Sequence, residues 1–117
     1  MTDADRLAHY LERCHLGKSK AITAVAMARE SKYNWELVFL RDESRPGDIV
    51  WALSHKLRDE GIPVLSCESG YFYARTRAEV EEYRESLRRR AMAMLETCKA
   101  LESCLVNDNP QGNFFDL

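Results

Sequence analysis

Residues 48–74, DIVWALSHKLRDEGIPVLSCESGYFYA, constrain the fold of this chain more than any other stretch. Ile49, Leu53 and Leu57 recur every four residues, which predicts a helix with one buried stripe. Gly61 suits the position just after the C-cap of a helix, and Pro63 cannot continue one. We therefore expect a helix over residues 48–60 that stops before Pro63.

The residues after this helix have the pattern of a β-hairpin. Apolar residues dominate two short runs, IPVLS and YFYA, and the turn-forming residues at 68–70 separate them. Tyr71, Phe72 and Tyr73 belong to the second run, where alternate side chains face the core. A helix followed directly by a hairpin is the predicted centre of the fold.

Two further helices are predicted before this centre. Residues 3–15 carry a helical stripe capped by Thr2 or by the next residue, Asp3. The stripe consists of Leu7, Tyr10, Leu11 and Cys14. A second helix is expected to begin near Ala24, with Thr23 as its N-cap.

In residues 32–41, apolar and other side chains alternate as they would in a strand, yet Tyr33, Leu37 and Leu40 also fit a helical stripe. We favour a helix there, capped by Asn34.

A long helix is predicted after the hairpin, because Thr76 and Glu79 have the spacing of a capping box. A heptad seam follows, spaced alternately four and three residues, with Arg84 as its polar interruption. Its dimer-forming residues are Leu87, Ala91, Met94, Cys98, Leu101 and Leu105. The partner of this seam is either the same helix of a second copy, giving a coiled-coil homodimer, or the first helix folded back along it.

The predicted fold class is mainly α with a small β-hairpin, followed by a long C-terminal helix. Three segments are expected: a helix-and-hairpin domain over 1–75, the long helix over 76–106 and a tail over 107–117. A chain of 117 residues fits one domain of ordinary size. It has no apolar run near the roughly 18 residues of a membrane span and no signal-peptide pattern, so we expect no membrane association and a cytoplasmic location.

Composition and motifs argue against an enzyme or a metalloprotein. The four cysteines stand singly, without a histidine at metal-ligand spacing, and we expect buried, reduced thiols and no metal site. His9, His15 and His55 have no nucleophile or acid at a spacing typical of a catalytic pair, and no phosphate-binding glycine motif occurs. We expect no catalytic residues and no cofactor. The net charge of −2 also argues against indiscriminate binding to phosphate backbones.

Residues 20–105 resemble a group of small phage-encoded winged helix-turn-helix proteins. The resemblance rests on AIT before the second helix, LRDEGIPV at the end of the central helix, GYFYA in the hairpin and the capped long helix. It implies a winged helix-turn-helix domain over 1–75, with the central helix in the major groove of double-stranded DNA and the hairpin on the backbone or in the minor groove. The implied DNA-binding residues are Ser54, His55, Lys56 and Arg58.

The C-terminal tail resembles the pentapeptide by which bacterial proteins bind the replicative sliding clamp. Gln111 matches the leading glutamine, and Phe114 and Phe115 stand at the apolar end of QGNFF. The resemblance implies that Gln111 forms a hydrogen bond at the mouth of a pocket on a partner, while Phe114 and Phe115 fill an apolar cleft. Leu117 is also expected among the partner-binding residues. The alternatives are that the two rings pack on their own domain or bind another protein.

Two hypotheses for function follow. The first is a dimeric DNA-binding winged-helix protein, a regulator or replication accessory of a phage or prophage. The second is an interaction adaptor of the same fold that does not bind DNA and acts through its long helix and aromatic tail. Net negative charge and the acidic Asp48 and Asp59 on the central helix favour the second. Arg88, Arg89 and Arg90 on the long helix are either a nucleic-acid contact or part of a solvated mixed-charge face.

Overall fold

A computed structural model describes residues 1–106, which are mainly helical with a small antiparallel hairpin and a long C-terminal helix. This is the predicted fold class at its coarser level. Gln111, Phe114, Phe115 and Leu117, predicted to bind a partner, lie outside the described residues. The elements are helix α1 Asp3–Cys14, a 3-10 turn Lys18–Lys20, helix α2 Ala24–Glu30, a 3-10 helix Trp35–Leu40, helix α3 Pro46–Asp59, strands β1 Val64–Cys67 and β2 Gly70–Tyr73, and helix α4 Arg77–Val106.

Three threonine caps begin three of these helices, as the sequence predicts. Thr2, rather than Asp3, caps α1 and forms a capping box with Asp5. Thr23 accepts a hydrogen bond from the Ala26 amide at the start of α2. Thr76 and Glu79 form the predicted capping box of α4, with both bonds at 3.3 Å. Each cap satisfies amides that the first turn of a helix leaves without a partner.

The described chain forms two compact units, Met1–Glu82 and a second that begins at Tyr83. The core of the first unit lies where α1 packs against α3, the 3-10 helix and β2. Its fully buried large side chains are Leu7, Tyr10, Leu11, Met27, Leu37, Leu40, Val50, Leu57 and Val64. The predicted stripe of α1 is therefore right except at Cys14, which is exposed because the helix ends there.

Residues 35–40 form a 3-10 helix rather than an α-helix, with a kink at Leu37. Asn34 caps it as predicted, accepting a bond of 2.9 Å from the Glu36 amide. Of the predicted stripe, Leu37 and Leu40 are buried, whereas Tyr33 is 92% exposed. Tyr33 lies in the turn before this helix, so it does not share a face with Leu37 and Leu40.

The hairpin has the predicted turn, and its second strand is paired along both edges. Leu65 lies opposite Phe72 in the antiparallel register of β1 and β2. On the other edge of β2, Ile22 exchanges two backbone hydrogen bonds with Tyr71, at 2.8 and 2.7 Å. The Tyr73 amide donates to the His15 carbonyl at 3.0 Å. The connector between α1 and α2 therefore covers an edge that would otherwise be open.

Glu79 ties the first turn of α4 to the 3-10 turn. Its carboxylate accepts hydrogen bonds of 2.7 Å from the amides of both Lys18 and Arg75. The Lys18 ammonium also pairs with Glu82, at 3.1 Å. These contacts explain why the first turns of α4 belong to the first unit.

Glu79→Gln is expected to lower stability by about 1 kcal/mol at neutral pH, because the carboxylate accepts these two amides through different oxygens and a glutamine amide has only one acceptor oxygen. The Lys18 amide, followed by that of Arg75, holds the pKa of Glu79 below its ordinary value of about 4.5. A carboxyl group whose pKa is lower in the folded state than in the unfolded state stabilises the fold at pH values above the unfolded-state pKa. This stabilisation is lost as the pH falls through the folded-state pKa. Thermal midpoints of the variant and the wild type should therefore converge below pH 4.5. A gap that persists in acid would contradict this origin.

None of the helices within residues 1–106 combines the length and apolar character needed to cross a membrane.

Candidate functional site

The inner face of α3 anchors the helix in the first unit. Val50, Ser54 and Leu57 are fully buried, while Ile49 and Leu53 are partly buried. The predicted apolar stripe is thus present, although it is centred one residue further along than the sequence indicated. Because this face is fixed in the core, only the opposite face of α3 is available to a partner.

Ser54 is not on that available face, which corrects its assignment as a DNA-binding residue. It is 0% exposed, and its hydroxyl donates to the Trp51 carbonyl at 2.9 Å. A serine side chain can satisfy its own hydroxyl on the preceding turn of a helix, so it is easily buried. Ser54 therefore packs in the core and does not face DNA.

Arg58 is half-buried and contributes to the fold. Its Nη1 donates to the Val64 carbonyl at 3.1 Å, which joins the end of α3 to the start of β1. A guanidinium held by a buried carbonyl has fewer donors left for phosphate. Of the predicted DNA-binding residues, His55 and Lys56 are the two that lie exposed on α3.

Trp51 dominates the exposed face of α3, although the sequence pattern did not indicate it as a site residue. It is 58% exposed, and its ring centroid lies 4.2 Å from that of His55. Trp51 precedes His55 by four residues, so helical spacing alone places the two on one face. The two rings, tilted by 50° to each other, give α3 an exposed aromatic surface.

The charges around this aromatic surface are mixed. Arg45 pairs with Asp48 at 2.9 Å at the start of α3, and Asp59 is exposed near its end. In the hairpin, residues 64–73, Glu68 is the only charged side chain. The positive charge that this face offers to phosphate is therefore small and is concentrated at Lys56.

The predicted seam of α4 lies at the surface of the single chain. Leu87, Met94, Leu101 and Leu105 are between 45% and 68% exposed. Ala91 and Cys98 are exposed as well. The expectation of buried thiols is wrong for the single chain, because Cys14, Cys98 and Cys104 are exposed and Cys67 is partly buried, all of them free.

A polar network around Tyr10 is structural in character. Its hydroxyl donates to the Glu30 carboxylate and lies 2.9 Å from His15 Nε2, and His15 Nδ1 lies 2.7 Å from the Lys20 carbonyl. Burial, followed by the hydrogen bond to Glu30, raises the pKa of Tyr10 well above its ordinary range. A phenol held neutral in this way is a poor base or nucleophile, and the network instead joins α1, the connector and α2.

Residues 1–106 contain no group of three histidine, cysteine or acidic side chains that could hold a metal ion. A scan against protein-family models found no match, and neither a search of curated proteins nor a search of solved structures found a similar one.

Proposed function

We propose that this protein is a DNA-binding protein of the winged helix-turn-helix type that acts as a dimer. The order of elements supports the proposal: α2 and α3 precede a hairpin whose second strand is also paired with the connector before α2. In such proteins the last helix before the hairpin enters the major groove. The observation that carries the proposal is that His55 and Lys56 lie exposed on that helix.

The groove-facing set is revised from the one that the sequence suggested. Trp51 replaces Ser54, and Arg58 is left out because its guanidinium donates to the Val64 carbonyl. The proposed contacts are Trp51, His55 and Lys56. An exposed ring on such a helix offers apolar contact to a thymine methyl group, while Lys56 contacts phosphate or a guanine edge. The resemblance to phage-encoded proteins implies that such a protein is a regulator or a replication accessory.

Lys56→Ala is expected to weaken binding to duplex DNA and to reduce the dependence of affinity on salt. Each phosphate contact releases condensed counterions, so the slope of log K against log[salt] should fall in magnitude by about 1. Fluorescence anisotropy titrations of a labelled duplex at several salt concentrations measure both quantities. Lys99→Ala, at an exposed lysine of α4, removes the same charge and serves as the matched control. Wild-type binding that is absent or insensitive to salt would refute DNA binding.

A second candidate function is a protein-interaction adaptor, and the exposed Trp51 is the observation that favours it. Tryptophan is enriched at the centres of protein interfaces, and the mixed charges around it are less suited to phosphate. The same titrations separate the two functions, because an adaptor shows no salt-dependent affinity for a duplex.

A further inference from the structure

The part of α4 that lies beyond the first unit exposes an apolar face that is too wide for a helix without a partner. From Tyr83 to Val106 it extends for about 36 Å. Leu95 is 60% exposed and adds to the seam residues of this face. Most helical stability in proteins comes from packing an apolar face, and no residue of α4 is buried. A partner is needed along this segment.

The first helix cannot be that partner, because its own apolar face is already used. Leu7 and Leu11 are fully buried in the core of the first unit, where α1 packs against α3 and the 3-10 helix. The alternative in which α1 folds back along α4 would expose this core. A second copy of α4 is the other of the two partners that the heptad pattern allows.

The charges on α4 disfavour a parallel pair. In a parallel pair in register, residues at core positions meet their own copies, so Arg84 would face Arg84 of the second copy in a core layer. The flanking contacts would place Arg90 against Leu95 of the second copy, and Glu102 against Thr97. Two like charges would then be buried, and no flanking ion pair would form.

We propose that α4 pairs with α4 of a second copy in antiparallel orientation, with residues 86–106 overlapping. This inference rests on the proposed dimer and specifies its interface. Sliding the two seams in opposite directions aligns Leu87 with Leu105, Ala91 with Leu101, and Met94 with Cys98 of the second copy. Each of these layers occurs twice by symmetry. Arg84 then lies beyond the end of the overlap, so it is not buried.

Flanking side chains match in the same alignment. In an antiparallel pair, residues at heptad position e, directly after core position d, lie opposite residues at position e of the second helix. Arg88 and Glu102 both occupy position e, so Arg88 lies opposite Glu102 of the second copy. The same rule brings Leu95 to Leu95, which accounts for an apolar residue outside the seam. Arg88 and its basic neighbours also approach the C-terminal turn of the second helix, whose free carbonyls favour positive charge.

A charge reversal tests the ion pair in the full-length chain. Arg88→Glu and Glu102→Arg should each raise the dimer dissociation constant about tenfold, because each change turns two attractive pairs into two repulsive ones. The double variant should return to within about twofold of the wild type, since the pairs are restored with their signs exchanged. Sedimentation equilibrium measures the constants, and circular dichroism checks that helix content is unchanged. A double variant no better than the weaker single variant would overturn the antiparallel alignment.

Cross-linking gives a second test that does not depend on charge. With all four cysteines changed to serine, Ala91→Cys should not be linked to its own copy by a short bismaleimide, because the alignment separates the two residues by ten positions, about 15 Å of helix. In the same background, Leu95→Cys should be linked efficiently. The reverse result would establish a parallel pair and overturn the proposal, as would a wild-type chain that remains monomeric at its highest soluble concentration. Neither test of the dimer interface uses DNA. The antiparallel pair can therefore be refuted while salt-dependent DNA binding is found, and DNA binding can be refuted while the antiparallel pair is found.

Discussion

Gly70→Ala is expected to destabilise the protein by about 3–5 kcal/mol, combining steric overlap with backbone strain. A Cβ at this position would lie 2.2 Å from the Ile22 carbonyl oxygen and 2.6 Å from the Thr23 amide nitrogen. Both atoms belong to backbone, which cannot move aside as a flexible side chain would. The φ of +120° is also one that L side chains rarely adopt. Urea unfolding followed by circular dichroism measures the change in the free energy of unfolding.

The other glycines provide matched controls. Gly61 has a φ of +82° but nothing within 4 Å of its added Cβ, so Gly61→Ala isolates backbone strain at about 1–2 kcal/mol. Gly47 lies in α3 with open space around it, and Gly47→Ala should stabilise the protein by about 0.5–1 kcal/mol. If Gly70→Ala were no worse than Gly61→Ala, the close approach of the connector to β2 would be wrong.

The elements that the sequence predicted well are those specified by neighbouring residues. Thr2, Thr23 and Thr76 each cap a helix through an amide three residues ahead, so the signal and its effect lie within one turn. Gly61 and Pro63 end α3 through their own backbone limits. Such local features can be predicted from the sequence because no distant residue has to be known.

Contacts between distant residues were not predictable in the same way. Gly70 was assigned to a turn, but its second role, admitting the Ile22 backbone against β2, depends on a residue 48 positions earlier. Nothing in the polar connector between α1 and α2 indicates that it pairs with a strand. The 3-10 helix is similar, because the buried Glu36 is held there by Arg13 and His9 of α1.

The candidate site was half predicted, and the errors have one cause. Ser54 was assigned to the surface because it is polar, yet it lies four residues after Val50 and three before Leu57, on the face that both of them bury. Trp51 was passed over because it is apolar, yet it shares the face of His55. Helical spacing was the better guide than residue polarity at both positions.

Leu57→Ala is expected to destabilise the protein by about 2–5 kcal/mol, the second large effect. The Leu57 side chain is fully buried on the inner face of α3, and the helix backbone there is fixed by its bonds to the following loop. Deleting the side chain removes apolar contacts and leaves a cavity that the packed neighbours fill only partly. Chemical unfolding should show a lower midpoint with an unchanged m-value.

Lys56→Ala is the natural control, since it alters the adjacent residue, which lies on the exposed side of α3. The exposed Lys56 should change stability by no more than about 0.5 kcal/mol. Under conditions where both variants are folded, the proposed function predicts the opposite order for DNA affinity: Leu57→Ala should bind nearly as the wild type does, and Lys56→Ala should bind more weakly. A stability loss at Lys56 comparable to that at Leu57 would show that α3 is rotated about its axis, and that its outer face is not the one described.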